Sequence, residues 1–265
     1  MIFILGGRGL VGSAFVRQCQ AAGEPHTILD RQNYKDYAGS SCDVFVNANG
    51  NSSKPLAKTD PLKDFSASVA SVRASLVDFR AERYVHLSSC DVYPDCSLPE
   101  YTREEQNLEP ASQSPYGFHK FLAEQCIRHA AKEWLIFRLG GLVGPGLKKN
   151  AIFDILHGGP LWLDPGSALQ FLRTDSAAAI ALDLARKGVS RQIFNLCGNG
   201  LIALREVMDM AGYQVPVNPG SPLVRYDVSI EKLSRVTQVP ETRLSVAQFV
   251  QSELQRAKAS ADAGQ

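Results

Sequence analysis

Residues 1–12 read MIFILGGRGLVG, and this stretch decides the fold. The apolar run Ile2–Leu5 has the length and composition of a buried strand, and the glycines that follow it allow a tight turn. The next segment, Val11–Ala22, has the spacing of an amphipathic helix, and Gly23 closes it. A strand, a glycine-rich turn and a helix in this order are typical of the first unit of a parallel α/β sheet.

The turn also has the pattern of a loop that binds the pyrophosphate of a dinucleotide. Glycines let the backbone approach the phosphates, and the N-terminus of the following helix offers unbonded N–H groups and the positive end of its dipole. An acid, Asp30, follows the predicted strand His26–Leu29, about 20 residues beyond the last glycine, where a ribose-binding acid is expected. We therefore expect NAD or NADP to contact the loop residues Gly6, Arg8, Gly9, Leu10, Val11 and Gly12.

The rest of the chain alternates short apolar runs with segments of helical periodicity. The further predicted strands are Val44–Val46, Tyr84–Leu87, Leu135–Leu139 and Ile193–Leu196. The further predicted helices are Pro61–Arg80, Tyr116–Lys132, Thr174–Lys187, Leu204–Ala211, Ser229–Val236 and Leu244–Ala257. This alternation predicts an α/β fold, a doubly wound parallel sheet of the Rossmann type, formed by residues 1–146 plus 171–198. Residues 147–170 plus 199–265 are expected to form a smaller C-terminal lobe that binds substrate.

The composition narrows the class of protein. Of the 265 residues, 28 are Lys or Arg and 27 are Asp or Glu, and no stretch is strongly basic, which argues against nucleic acid as a partner. No apolar run reaches the ~18 residues of a membrane span, and the N-terminus lacks the features of a signal peptide. The six cysteines have no metal-ligand spacing. We expect a cytoplasmic protein with free thiols, no metal site and no contact with membranes.

Two further motifs carry chemistry. In Tyr116-Gly117-Phe118-His119-Lys120 the tyrosine and the lysine are four residues apart, on one face of the predicted helix. A lysine beside a phenol stabilises the phenolate, so such a tyrosine can exchange a proton with a substrate oxygen while hydride moves. The stretch Leu87-Ser88-Ser89-Cys90-Asp91-Val92-Tyr93 places hydroxyl groups at the carboxyl end of a strand, where open α/β sheets bind their ligands.

Together these motifs resemble those of the extended short-chain dehydrogenases/reductases, and in particular the NAD-dependent epimerase/dehydratase family that acts on nucleotide sugars. The matching stretches are GGRGLVG, SSCDVY, SPYGFHK and, over Phe137–Gly146, FRLGGLVGPG. They follow the family's order over about residues 1–200.

The resemblance implies a role for individual residues. Tyr116 is expected to be the acid/base, with Lys120 as its partner and as a contact of the nicotinamide ribose, and Ser89 to bind the reacting sugar oxygen. Ser88 is expected either to line the cofactor pocket or to cap its strand. The turn Asn47-Ala48-Asn49-Gly50 replaces the family's His-Leu-Ala-Ala, so Ala48 and Asn49 are expected at the cofactor and Asn49 also at the substrate. Further expected substrate contacts are Lys148, Asn150 and Arg225, each with the alternative of a solvated surface residue.

The choice between NAD and NADP stays open at this point. Asp30 suits the ribose diol of NAD, whereas Arg8 and Arg31 could clamp the 2′-phosphate of NADP. Because GGRGLVGSA is most similar to the loop of NADP-linked GDP-sugar epimerase-reductases, NADP is slightly favoured.

The resemblance implies an epimerase or reductase, and relatives often dimerise through helices that include the Tyr-Lys helix, so we expect a homodimer. Dehydration is disfavoured, because Ser89 is not followed by the Asp-Glu pair of the dehydratases. The alternative is a catalytically idle member that senses NADP(H) and binds a protein partner; the retention of Ser89, Tyr116 and Lys120 argues against it.

Some residues are expected to have no role in chemistry. His86, His119 and His157 are interpreted as surface side chains, and Trp162 as part of the core. The short interval between Asp30 and Asp43 leaves little room for the strand and helix that the family has there.

Overall fold

The computed structural model describes residues 1–262, and its centre is a six-stranded parallel sheet. In chain order the strands are β1 (Ile2–Leu5), β2 (His26–Leu29), β3 (Ser41–Asn47), β4 (Arg80–Ser89), β5 (Trp134–Leu139), β6 (Gly141–Val143), β7 (Ala168–Leu169), β8 (Phe171–Arg173), β9 (Gln192–Leu196) and β10 (Ile202–Ala203). The helices are α1 (Gly12–Ala21), α2 (Lys54–Thr59), α3 (Pro61–Phe65), α4 (Ser71–Asp78), α5 (Pro115–Ala130), α6 (Ala151–Leu156), α7 (Thr174–Arg186), α8 (Leu204–Ala211), α9 (Glu231–Ser234) and α10 (Thr242–Asp262).

The central sheet has the strand order β2-β1-β3-β4-β5-β9, and every neighbouring pair is parallel. Its register places a row of fully buried side chains across the middle, from Ile4 to Val46, Val85 and Leu135. Such continuous apolar strands require cover on both faces. Helices α1 and α7 cover one face and α4 and α5 the other, which confirms the predicted doubly wound fold.

The connection between β2 and β3 is short, as the sequence predicts. Its one regular element is a 3₁₀ turn, Tyr34–Tyr37. Because the connection contains no further strand to pair with the outer side of β2, that strand is an edge of the sheet. The rings of Tyr34 and Tyr37 contact Phe79 and Phe3 edge-on, with centroids 5.1 and 5.8 Å apart. These aromatic contacts hold the turn on the apolar face of the sheet.

The segment predicted as one helix over residues 61–80 is divided. Helix α3 passes into a π-helical turn, Ser66–Ala70, before α4 continues to Asp78. The π-helical turn packs against α5, and the following Phe79 is already extended.

The C-terminal part has its own apolar cluster, in which α6, α8 and α10 pack on the short strand pairs β6–β8 and β7–β10. The expectation that Trp162 belongs to a core is wrong, because 70% of its surface is exposed beside the buried Leu161. The proposed division into two domains stays a prediction, and residues 263–265 of the second domain lie outside the described part of the chain. None of the helices described is both long and apolar enough to cross a membrane.

Candidate active site

The glycine-rich loop turns at the carboxyl end of β1. Gly6 has a positive φ of 81°, and a Cβ on Gly12 would lie 2.1 Å from the carbonyl oxygen of Gly6, so glycine is required at both positions. Across the described residues, the N–H groups of Leu10 and Val11 donate to no protein acceptor, and they stand just before α1. The loop therefore offers the free donors and the close backbone approach that a pyrophosphate requires.

Charges of both signs meet where β1 and β2 end. Arg8 Nε lies 2.9 Å from Asp30 Oδ2, and the N–H of Gln32 donates to Asp30 Oδ1 at 2.8 Å. The Gln32 amide first, and Arg8 with it, hold the pKa of the Asp30 carboxyl below its usual range. Arg31 is exposed beside them. This end of the sheet thus holds the acid and the arginines that the sequence predicts around the adenosine ribose.

The start of α5 is docked directly onto the end of β4. Ser114 caps the helix by accepting the N–H of Gly117 at 3.1 Å, and Pro115 is its first residue. Because Gly117 has no Cβ, the helix approaches the backbone of Asp91 closely. This contact places Tyr116, the residue before Gly117, at the end of β4 where Ser89 lies.

Tyr116 and Lys120 are both buried, with 8% and 6% of their surfaces exposed. The Nζ atom of Lys120 lies 5.4 Å from the centroid of the Tyr116 ring. Burial raises the pKa of the Tyr116 phenol well above its ordinary value, Asp91 adds to this effect, and the nearby Ser89 hydroxyl opposes it. Burial lowers the pKa of Lys120 to about 8. The phenol therefore holds a proton that it can donate, and an ammonium lies near enough to stabilise the phenolate.

The structure adds a carboxylate that the sequence reasoning did not assign. Ser89 Oγ donates to Asp91 Oδ2 at 2.9 Å, and Lys54 Nζ donates to Asp91 Oδ1 at 2.6 Å. Asp91 belongs to the strand-end motif itself, so its position in that motif was the available signal. Lys54 lies on α2, a helix that was not predicted from the sequence.

Ser88 forms its hydrogen bond within the interior of the protein. Its Oγ donates to Glu124 Oε1 at 2.6 Å, and Glu124 is also bound through two nitrogen atoms of Arg138, at 2.7 and 3.0 Å. The hydroxyl thus ties the end of β4 to α5, and contact of Ser88 with a cofactor stays a prediction.

The turn after β3 connects the glycine loop with Lys120. A Cβ on Gly6 would lie 2.9 Å from the carbonyl oxygen of Ala48, and a Cβ on Gly50 would lie 3.1 Å from Lys120 Nζ. Between them, the N–H of Asn49 donates to Asn47 Oδ1 at 3.0 Å, which leaves the Asn49 side chain at an exposed position. The turn after β3 therefore lies against both the glycine loop and Lys120.

The predicted substrate contacts are more dispersed. Asn150 has a φ of 144°, its Oδ1 accepts the N–H of Phe153, and its Nδ2 donates to the carbonyl of Leu142. Arg225 pairs with Asp227, and Lys148 is exposed. Contact of Lys148, Asn150 and Arg225 with a substrate stays a prediction.

Two histidines expected at the surface are buried, so that interpretation is wrong. His86 is 1% exposed on β4, and burial, followed by the charge of Lys120, lowers its pKa to about 3. His119 is 8% exposed and bonds Asp64. Only His157 of the three is exposed. Within residues 1–262 no group of His, Cys, Asp and Glu could hold a metal ion.

Comparison with solved structures shows the same fold over nearly the whole chain. A UDP-galactose 4-epimerase is 19% identical with a TM-score of 0.78, covering 96% of this chain and 99% of its own. RMD from Pseudomonas aeruginosa, complexed with NADPH, is 19% identical with a TM-score of 0.75, covering 95% and 97%. MoeE5 in complex with UDP-glucuronic acid and NAD is 18% identical with a TM-score of 0.79, covering 96% and 99%.

At the level of sequence, no curated protein matches the chain. The profile of the NAD dependent epimerase/dehydratase family matches residues 2–157, which is more than half of the 265 residues. The motifs that carry the glycine loop, the strand-end serines and the Tyr-Lys helix all lie within the matched residues. The chain belongs to the NAD dependent epimerase/dehydratase family.

Proposed function

We propose that the protein is an NAD(P)-dependent enzyme that epimerises or reduces a nucleotide-activated sugar. The observation that carries this proposal is the convergence of Ser89, Tyr116 and Lys120 at the carboxyl end of β4, beside a glycine loop with unbonded N–H groups. An idle sensor of NADP(H) would have no need for a buried ammonium beside a buried phenol.

Each residue of the site has its own role in this proposal. Leu10 and Val11 bind the pyrophosphate through their N–H groups, and Lys120 binds the nicotinamide ribose. A bound nicotinamide accepts or supplies hydride. Ser89 orients the reacting sugar oxygen, and Tyr116 exchanges a proton with it while the Lys120 ammonium stabilises the phenolate.

For the cofactor we favour NADP slightly over NAD. The ion pair between Arg8 and Asp30 supports this preference, because an arginine that neutralises the carboxylate reduces the repulsion of a 2′-phosphate. Arg31 supplies a second cation at the same end of β2. RMD is complexed with NADPH and MoeE5 with NAD, so relatives of this fold accommodate either dinucleotide.

For the substrate we propose a nucleotide sugar held between the Rossmann domain and the C-terminal lobe. Lys149 Nζ donates to the carbonyl of Ser52 at 2.7 Å, so the loop that carries Lys148 and Asn150 lies next to the turn that follows Asn49. Cations and amides at such a boundary suit a diphosphate. The solved structures of MoeE5 contain UDP-glucuronic acid or UDP-glucose.

We also propose a homodimer in the cytoplasm. Leu62, Phe65 and Val77 are 81%, 40% and 66% exposed on α3 and α4, next to the Tyr-Lys helix, and a partner's matching helices would cover them. The six cysteines form no disulfide, as suits a reducing compartment.

The proposal is tested on the purified protein. Denaturation and identification of any released dinucleotide show which cofactor is retained, and single-turnover hydride transfer is then measured with UDP- and GDP-sugars. Conversion of one sugar to its epimer, or oxidation of NADPH with a keto-sugar, supports the proposal. Dinucleotide binding without turnover on any sugar overturns it in favour of the sensor.

A further inference from the structure

Asp64 and His119 form a buried pair beside the catalytic helix. His119 Nδ1 lies 2.7 Å from Asp64 Oδ2, and since a carboxylate only accepts, the imidazole N–H is the donor. Asn51 Nδ2 and Ser68 Oγ donate to Asp64 Oδ1 at 2.8 and 3.2 Å. Asp64 itself is fully buried. A carboxylate with three donors from three different segments has a fixed position.

The pair adjoins Lys120 through two elements. His119 is the residue before Lys120 on α5, and Asp64 lies on α3 just before the π-helical turn that packs against α5. Burial lowers the pKa of Lys120 to about 8, and three carboxylates oppose that effect, Asp64 first and then Asp91 and Glu124. The geometry agrees with this order, because Asn51, which donates to Asp64, follows Gly50, where an added Cβ would lie 3.1 Å from Lys120 Nζ.

The three carboxylates differ in the cations that accompany them. Glu124 is bound by Arg138, and Asp91 by Lys54. The partner of Asp64 is the imidazole of His119, and among the described residues no Lys or Arg side chain forms an ion pair with Asp64.

Two other titratable groups, His86 and Tyr116, lie near Lys120, and neither supplies a negative charge near pH 8. His86, on β4, is neutral because burial lowers its pKa to about 3. Tyr116, on α5, keeps its proton because burial raises its pKa. Within the described chain, Asp64 is thus the one of these three carboxylates that no Lys or Arg side chain pairs with.

We propose, building on the proposed function, that Asp64 is a positioning residue which, held by His119, keeps the ammonium of Lys120 charged and in place beside Tyr116. It acts through Lys120 and contacts neither the sugar nor the cofactor. Since the ammonium binds the ribose and stabilises the phenolate, cofactor binding and turnover both fail when it loses its proton. Removal of the Asp64 charge lets that loss occur at a lower pH.

The test compares wild type with Asp64→Asn from pH 6 to 10. The pH midpoint of Lys120 is followed by NMR of the lysine side-chain nitrogens, with Lys120→Met to assign the signal, and the affinity for NADPH and NADH is measured by calorimetry. We expect the midpoint and the alkaline fall in affinity to move by about one pH unit toward acid. An unchanged midpoint in a folded Asp64→Asn variant overturns the proposal.

Glu104→Gln is the matched control, because Glu104 is also a buried carboxylate but is not among the groups that act on Lys120. In the Glu104→Gln variant the pH midpoint of Lys120 should equal that of wild type. An acid shift equal to that of Asp64→Asn would assign the effect to packing and overturn the proposal. The conservative variant Asp64→Glu, which keeps the charge, should return the midpoint toward that of wild type.

A second variant covers the case in which Asp64→Asn does not fold. Asp64→Asn combined with His119→Leu removes both members of the pair, so neither is left buried without a partner, and such replacements are often tolerated. The same acid shift is expected, and its absence overturns the proposal. A wild-type protein that binds no dinucleotide at any pH contradicts the proposed function instead, and the NMR midpoint still decides the role of Asp64.

Discussion

A Cβ on Gly117 would lie 2.0 Å from the carbonyl oxygen of Asp91, so the first turn of α5 and the end of β4 meet at a distance that only glycine permits. The residue before Gly117 is Tyr116, and the hydroxyl of Ser89 lies two residues before Asp91. The spacing between the two proposed catalytic groups is therefore set by contact between backbones and not by mobile side chains.

This contact predicts the effect of Gly117→Ala. The added methyl group must push α5 away from β4, at a cost of about 1–3 kcal/mol in the free energy of unfolding, and turnover should fall with it. Denaturant unfolding and steady-state kinetics measure the two effects. Gly159→Ala is the control, because the new Cβ there would lie 3.8 Å from its nearest neighbours. Equal stability of the two variants would contradict the close approach.

Tyr116→Phe should leave cofactor binding nearly intact and lower turnover by ~10²–10⁴, as is typical for loss of a general acid/base. Lys120→Ala should damage binding as well, and Ser89→Ala turnover alone. Single-turnover hydride transfer with separately measured cofactor occupancy distinguishes these cases. The matched control is Tyr101→Phe, which removes the same phenol oxygen from a side chain that is 46% exposed. Wild-type rates in Tyr116→Phe would rule out the proposed mechanism.

Two substitutions in the glycine loop should have different effects on dinucleotide binding and on stability. Gly9 is exposed, and a Cβ there would lie 3.3 Å from the Gly6 oxygen, so Gly9→Val should fold and lose dinucleotide binding. Gly12→Ala, with its contact of 2.1 Å, should lose about 1–3 kcal/mol of stability in addition. Calorimetric titration with NAD and NADP, together with thermal unfolding, tests both; unchanged affinity in Gly9→Val would refute the assignment of the loop.

The cofactor preference should depend on the charges at the ends of β1 and β2. Arg8→Ala and Arg31→Ala are expected to weaken NADP binding by about tenfold or more and NAD binding much less, because only NADP carries the 2′-phosphate. Asp30→Ala should weaken NAD specifically. Binding isotherms for both dinucleotides measure this, with the exposed Arg103→Ala as control. Equal losses for both cofactors would show that these residues do not face the ribose.

The buried Lys120 should cost the protein stability. Its pKa of about 8 in the folded state lies below its ordinary 10.5, so between these values the unfolded chain binds more protons and stability rises with pH. Below pH 8 the cost is fully present. Lys120→Met should therefore be inactive but more stable at pH 7 by about 1–3 kcal/mol, with a smaller gain at pH 10. Denaturant unfolding at both pH values checks this, and a less stable variant at pH 7 would contradict it.

The sequence predicts the elements whose signal is local. The run Ile2–Leu5 and its glycine turn are found where periodicity places them, and the strand ends carry the serines as expected. The helix predicted over residues 61–80 is interrupted because the π-helical turn depends on packing against α5, which no local pattern encodes.

The parts of the site that escaped prediction depend on long-range contacts. Asp64 and His119 are 55 residues apart in the chain, and each read alone has the character of a solvated residue. Lys54 and Asp91 are 37 residues apart in the chain and meet only in the folded protein. Trp162 shows the opposite error, since its apolar neighbours Leu161 and Leu163 gave no sign that the indole points outward.

The lengths of the two outer strands of the sheet also bear on aggregation. An edge strand presents a row of unpaired backbone groups on which another chain can add a strand. Here the outer strands β2 and β9 have four and five residues, so each edge is a short template. An insertion between Asp30 and Ser41 that lengthens β2 would extend this template.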